Sequence, residues 1–156
     1  MSSGWEMMRV AGSHSEPASR VVRLLLVDDH PLVVTAMTAA FEDVADIELV
    51  ATASSVADAV AATARHRPDV VLLDRRLPDG DGVDAIGRLR DEVPGVRVLV
   101  FTGAAERSTA DRVADAGGAG ILLKAGVLDD MLDTIRNVAA GASSFDVRPS
   151  GRPGVR

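Results

Sequence analysis

The sequence predicts an α/β domain: a parallel sheet with helices on both of its faces. Two observations predict it. Short unbroken aliphatic runs, such as Val70-Val71-Leu72-Leu73, are bounded by polar turn formers, the pattern of strands buried on both faces. Between those runs lie segments whose apolar residues recur at helical spacing. Five strands and five helices alternate along the chain, and such alternation argues right-handed crossovers joining parallel strands. With 156 residues the chain is one domain with tails, large enough to bury a sizeable core. There is no internal repeat.

Residues 1–20 mix Ser, Gly, Pro and His without an apolar period and read as a disordered leader. Trp5 with Met7 and Met8 is either a small docking element or part of that leader. Val21–Val27 is the first strand and runs into Asp28-Asp29. His30-Pro31 then opens a helix to about Asp43, because proline suits a first helical turn. Its stripe is Val33, Met37, Phe41 and Val44. Ile47–Ala53 is the second strand. Ser55 and Asp58 resemble a capping box for a helix with Val56, Val60 and Ala64 facing in. Arg65, His66 and Arg67 complement its C-terminal dipole, and Pro68 stops it.

The third strand ends at Asp74, followed by the turn-forming stretch Pro78-Asp79-Gly80-Asp81. A third helix spans Gly82–Glu92, capped by Asp81, with Val83, Ile86 and Leu89 or Arg90 inward. Asp79, Asp81 and Asp84 make an acidic loop that lacks the ligand spacing and terminal Glu of a calcium loop. Pro94-Gly95 is a turn. Val96–Phe101 is the fourth strand, ending at Thr102-Gly103. The fourth helix, about Ala105–Ala116, carries Val113 as its one large apolar residue. That weak anchor marks either a movable element or a small alanine-packed helix. Ala119–Leu123 is the fifth strand, ending at Lys124. The last helix, Leu128–Ala140, is amphipathic through Leu128, Met131, Leu132, Ile135 and Val138. Residues 142–156, rich in Ser, Arg, Pro and Gly, read as a linker or tail.

Composition narrows the function. With no cysteine, disulfides and thiolate metal sites are excluded and a reducing compartment fits. A net charge of −6 argues against direct nucleic-acid binding by this chain. No apolar run approaches the roughly 20 residues that span a bilayer, so no membrane partner is expected. The start of the chain lacks the apolar segment of a secretory signal, and a cytoplasmic location is expected.

A parallel sheet brings the C-terminal ends of its strands to one edge, where such folds bind ligands. There the sequence supplies Asp28 and Asp29, Asp74, Thr102 and Lys124. Three crowded carboxylates call for a cation. Oxygen ligands alone suit Mg²⁺, which keeps several waters. Beside an ammonium and a hydroxyl, a carboxylate can take up a phosphoryl group as an acyl phosphate. Taken singly the residues say less. Asp29 also suits a helix cap, Thr is common at strand ends, and Lys124 also suits a snorkelling terminator. His30 reads as a loop residue and His66 as a helix terminus.

These residues, in this order and spacing over about Val21 to Gly141 (residues 21–141), resemble the receiver domain of a two-component response regulator. The Asp28-Asp29-His30-Pro31 start is similar to the subfamily whose output is a C-terminal helix-turn-helix DNA-binding domain. The resemblance implies a flavodoxin-like, doubly wound five-stranded sheet of order 2-1-3-4-5 with five helices. It makes Asp74 the phosphoacceptor, and it makes Asp28, Asp29, Asp74 and the backbone carbonyl of Arg76 the Mg²⁺ ligands. Thr102, Lys124 and the backbone N–H groups of Arg75 and Gly103 bind the phosphoryl oxygens. Thr102 and the position of Ile121 form the switch, and Arg76 and Ala104 flank the hydrolytic water and set phosphoryl lifetime. The resemblance also implies a sensor histidine kinase as partner, and a homodimer through the first and last helices is consistent by analogy. It implies a protein that acts on its own Asp74 only and is not otherwise an enzyme.

Two positions depart from the family. Ile121 stands where the family commonly has Tyr or Phe, so the usual inward swing of a ring is not available. Ala125 follows Lys124 where many members have proline, which predicts a trans bond. Ile121 keeps open a second reading, a receiver-fold dimerisation or scaffold module that works without phosphorylation. A free-standing phosphohydrolase or nucleotide enzyme is disfavoured, because the first strand leads into Asp-Asp-His-Pro and not a P-loop or glycine-rich turn. Helix-turn-helix members carry roughly 60 further residues after a linker. The chain therefore reads as either a receiver fragment or a stand-alone receiver.

Overall fold

The computed structural model describes residues 20–104 and 106–145. Most of the leader, with Trp5, Met7 and Met8, lies outside the described residues, as do Ala105 and residues 146–156. Five parallel strands form one sheet: β1 (Val22–Val27), β2 (Ile47–Ala53), β3 (Val70–Asp74), β4 (Arg97–Thr102) and β5 (Gly120–Leu123). Their spatial order is β2-β1-β3-β4-β5, the order the resemblance implies. A two-residue antiparallel hairpin, Arg76–Leu77 with Gly80–Asp81, is inserted after β3. The sequence reading had none there, because two residues are too few to show a period.

The helices are α1 (Pro31–Glu42), α2 (Val56–His66), α3 (Gly82–Glu92), α4 (Arg107–Asp115) and α5 (Leu128–Ala139). Because strand side chains alternate between faces, the sheet divides the core into two layers. Leu24, Leu26, Leu72 and Leu99 pack under α1 and α5 with Met37, Phe41 and Ile135. Leu25, Leu73, Val98 and Ile121 pack under α2, α3 and α4 with Ala59, Ile86 and Val113. Each fully buried leucine contributes roughly 1.5–3 kcal/mol of transfer free energy. These runs therefore fix the sheet and its C-terminal edge.

Local chemistry sets the helix ends. Ser55 Oγ accepts from Asp58 N at 3.0 Å, as the capping reading expects. The second cap of α2 comes from the hairpin: Asp79 accepts from Val56 N at 2.7 Å and Ala57 N at 3.0 Å. These N–H bonds hold the Asp79 carboxyl below its usual range. α2 ends on Arg67 in the left-handed conformation, φ 47°, a common stop ahead of proline. Asp81 accepts from Val83 N at 2.8 Å and caps α3. No peptide bond among the described residues is cis, Lys124–Ala125 included.

Two expectations are corrected and one open alternative is decided. The inward residues of α2 are Val56, Ala59 and Thr63, with Val60 half-buried and Ala64 exposed, because the helix is rotated so that small residues meet the sheet. In α3 the inward residue is Leu89, and Arg90 is exposed. Leu128 is exposed at the start of α5, whose buried stripe is Met131, Leu132, Ile135 and Val138. α4 buries Thr109 beside Val113. Its polar ties are Arg75 Nη1 to Thr109 Oγ1 at 3.1 Å and Arg112 to Asp81 and Asp84 at 3.3 and 3.1 Å.

Candidate functional site

Parallel register carries the ends of β1, β3, β4 and β5 to one edge. Asp74 is paired with Phe101, and Phe101 with Leu122. Asp28 follows β1 directly, and its backbone N–H is bonded to Ala53 O at 2.9 Å. Both acids are deeply buried, Asp28 at 1% and Asp74 at 4% exposure, which is unusual for carboxylates without full pairing.

Lys124 lies between them. Its Nζ is 2.8 Å from Asp28 Oδ2 and 3.4 Å from Asp74 Oδ2. Its backbone N–H is fixed by Thr102 O at 2.8 Å. The ammonium also sits 5.4 Å from the centre of the Phe101 ring, within cation–π range. Phe101 is fully buried and serves as the floor on which Lys124 rests.

His30 closes the cluster from outside. Its backbone N–H donates to Asp28 Oδ1 at 2.9 Å, and its Nδ1 lies 2.7 Å from the same oxygen. Nδ1 is also 3.3 Å from Asp29 Oδ1 and 3.6 Å from Asp74 Oδ2. Ligand atoms of Asp28, Asp29, His30 and Asp74 all lie within 4.8 Å of one another. His30, a loop residue as its sequence reading has it, thus borders the site. It is also the first residue bounding α1, with no side-chain cap, so Asp29 is not the cap of that helix.

The electrostatics follow from burial and neighbours. Burial pushes the Asp74 carboxyl up, and the Asp28 charge beside it adds to the rise against the pull of Lys124. Burial would also raise Asp28, but Lys124 and the two His30 nitrogens outweigh it and hold Asp28 below the usual range. Burial opposes the charge on Lys124, but Asp28 and Asp74 outweigh it and raise its pKa. His30 is raised chiefly by Asp28.

One ammonium offsets the two acids. Asp28 Oδ2 and Asp74 Oδ2 are buried and share Lys124 Nζ at 2.8 and 3.4 Å. Asp74 Oδ1 accepts only a long bond from Arg76 N, 3.4 Å. Buried carboxylate oxygens of this kind suit a hard divalent cation.

The remaining sequence-selected residues lie around this pair. Thr102 is buried, and its hydroxyl donates to Ala104 O at 3.2 Å, within its own loop. Gly103 is exposed with open space beside its Cα. The Arg75 side chain reaches Thr109, and its carbonyl accepts from Gly82 N at 2.7 Å. Arg76 is exposed. Ile121 is buried in the layer under α4.

Sequence reasoning missed Phe101, His30 and Gly82. A Cβ on Gly82 would lie 2.3 Å from the Asp74 carbonyl oxygen, so only glycine lets the start of α3 press against the acid's own backbone. The available signals were position: His30 follows the acid pair, Phe101 precedes Thr102, and Gly82 opens the helix after Asp74.

The chain is similar in sequence and fold to known proteins. The model of the family described as "Response regulator receiver domain" matches residues 24–136. The response regulator protein VraR of Staphylococcus aureus is 31% identical over 125 residues, which cover 80% of this chain and 60% of VraR. The chain therefore spans about three fifths of the length of that relative. Among solved structures, a LuxR-family two-component response regulator from Aurantimonas is 27% identical with a TM-score of 0.75, over 80% of this chain and 89% of that one. The signal receiver domain of the response regulator NarL from Mycobacterium tuberculosis is 30% identical with a TM-score of 0.73, over 78% and 98%. An acid cluster at the C-terminal edge of a 2-1-3-4-5 sheet, and a family match across that whole sheet, lead to one conclusion: the chain belongs to the response regulator receiver domain family.

Proposed function

We propose that this receiver domain is a phosphorylation-dependent switch that accepts a phosphoryl group on Asp74 from the phosphohistidine of a sensor histidine kinase. The observation that carries the reading is the pair of buried carboxylates, Asp28 and Asp74, that share the single ammonium of Lys124. A divalent cation, Mg²⁺ by its preference for oxygen ligands, would be held by Asp28, Asp29, Asp74 and the carbonyl of Arg76. When bound, it supplies positive charge that favours ionised Asp74 and the incoming phosphoryl oxygens.

An Asp74 carboxylate oxygen attacks phosphorus. The new P–O bond forms as the P–N bond to the kinase imidazole breaks, and the imidazole nitrogen keeps the electron pair. Lys124 stays over Phe101 and turns its ammonium from Asp74 to a phosphoryl oxygen. Thr102 releases the Ala104 carbonyl and donates to another phosphoryl oxygen, with the backbone N–H groups of Arg75 and Gly103 beside it. Positioning and charge do most of this work. The domain acts only on itself, through transfer and slow self-hydrolysis, in the cytoplasm. Changed association with partners or with a second copy is its output, and transcription would be controlled through a helix-turn-helix domain outside this sequence.

Arg76 and Ala104 flank the path of the hydrolytic water, and the long exposed Arg76 side chain screens it. Arg76→Ala is expected to change the acyl-phosphate half-life at least threefold, followed by loss of label from protein charged with a small phosphodonor. An unaltered half-life counts against that role.

Beryllium fluoride with Mg²⁺, a mimic of the acyl phosphate, tests the main reading. It is expected to bind at Asp74 and shift the amide resonances of Thr102, Ile121 and Lys124. The buried, tightly packed Ile121 favours a second reading, a scaffold that works without phosphorylation. Absence of any bound mimic would decide for that scaffold.

A further inference from the structure

The chain does not leave the domain where α5 ends. Gly141, at φ 110°, turns it back along the outer edge of β5. Ser144 lies in parallel register with Gly120. Ser144 N donates to Ala119 O at 2.8 Å, and Ile121 N donates to Ser144 O at 2.9 Å. Phe145, half-buried, packs against the layer that contains Val98, Val113 and Ile121. Residues 142–145, assigned from sequence to the linker or tail, thus begin as a one-rung sixth strand.

Two further features are built for this seat. A Cβ on Gly120 would lie 2.1 Å from Ser144 O and 2.7 Å from Ser144 C, so any other residue at 120 excludes the segment. Arg97, at the start of β4, donates through Nη2 to Gly141 O at 3.2 Å and Ala142 O at 2.6 Å, and through Nε to Val138 O at 3.3 Å. That clamp fixes where the turn leaves α5. Beyond it, the contacts among the described residues that hold the segment are the Ser144 rung and the Phe145 ring. Few buried contacts place it at the low-stability end of the fold.

The seat lies on the strand that carries the site. Gly120 and Ile121 lie on β5, which runs directly into Lys124, whose backbone N–H donates to Thr102 O. Ile121 has no ring to rotate. A packed, branched side chain passes on movement of its strand as a backbone shift.

We infer that the β5 edge is a docking site for the chain's own residues 142–145, and that their docking is coupled to the state of Asp74. The docked segment fits β5 as it stands with Lys124 held by Asp28 and Asp74. Drawing Lys124 and Thr102 to a phosphoryl group moves β5 and loosens the seat, so residues 142–145 are released from the edge. The inference rests on the phosphoacceptor reading above.

The test uses the whole chain with beryllium fluoride and Mg²⁺, and mimic binding is read separately by ¹⁹F resonance. Hydrogen exchange at the Ile121 and Ser144 amides is expected to quicken at least tenfold on binding, while core amides such as Leu72 do not change. Coupling is reciprocal. Gly120→Ala and, more gently, Phe145→Ala should therefore quicken the same amides without the mimic and raise its affinity several-fold. Bound mimic with unchanged or slower exchange, or variants that undock without a change in affinity, overturns the coupling. No bound mimic in the parent protein overturns the phosphoacceptor reading, and the coupling with it.

Discussion

Asp74→Asn is expected to abolish acyl-phosphate formation and, in the same protein, to raise thermal stability. The first effect follows from the proposed role of Asp74 as the nucleophile, which the substitution removes. The second follows from the charge environment. Burial, and then the neighbouring Asp28, raise the folded pKa of Asp74 above its ordinary value. A raised carboxyl pKa means that Asp74 favours the fold only while protonated. That contribution is complete below the unfolded value of about 3.9 and is lost as pH rises through the higher folded value. At neutral pH the charge is therefore a cost. Asparagine keeps the shape and leaves Lys124 paired with Asp28. A gain on the order of 1 kcal/mol, about 4 °C in Tm for a domain this size, is expected at pH 7.5 and should shrink toward pH 4.5. The parent should gain stability with added Mg²⁺ and the variant less. Calorimetry at the two pH values checks both, and a lower Tm for the variant at pH 7.5 would refute the repulsion argument.

The opposite outcome is expected at Lys124. Lys124→Met keeps the stem over Phe101 and removes the charge that Asp28 and Asp74 share. Two buried carboxylates are then left facing each other. Breaking one side of a buried pair costs roughly 3–5 kcal/mol, so a Tm loss on the order of 10 °C is expected. Asp28 sets the pH sense of the loss. Its folded pKa is held low, so its contribution is present above the ordinary carboxylate value and lost as pH falls through the folded one. The variant's deficit should thus be largest at neutral pH and fade in acid. Mg²⁺ should restore more stability than it adds to the parent, because the cation no longer competes with an ammonium. A smaller Mg²⁺ response in Lys124→Met would show that the ammonium and the cation do not share the same carboxylates.

Much of this was legible before any coordinates, because aliphatic runs report strands and strand ends report the edge. Asp28, Asp74, Thr102 and Lys124 were found by their place at those ends, and Asp29 as the neighbour of the first. What stayed hidden depends on contacts without a local pattern. The Arg76–Asp81 hairpin is too short to show alternation. Asp79 looked like one acid among three, since its bonds to Val56 and Ala57 reach across 23 and 22 residues. His30 acquires its role only when the β1 end meets Asp74. The Ser144 rung has no period at all, and it emerges from Gly120 lacking a Cβ at the one place where a backbone comes close.

Gly82 and Asp79 together give the site an asymmetry like that of a bench vice. On one side, the segment after Asp74 is pinned twice, by α3 against the Asp74 carbonyl and by the Asp79 carboxylate at the start of α2. That side is the fixed jaw. On the other, the Thr102 hydroxyl is bonded only within its own loop and Lys124 reaches the two acids on a long unbranched stem. If Asp74 is the phosphoacceptor proposed above, a group clamped on it would move the protein toward β4, α4 and β5. Re-engineering the response of this domain should begin with the moving jaw and leave residues 74–82 untouched.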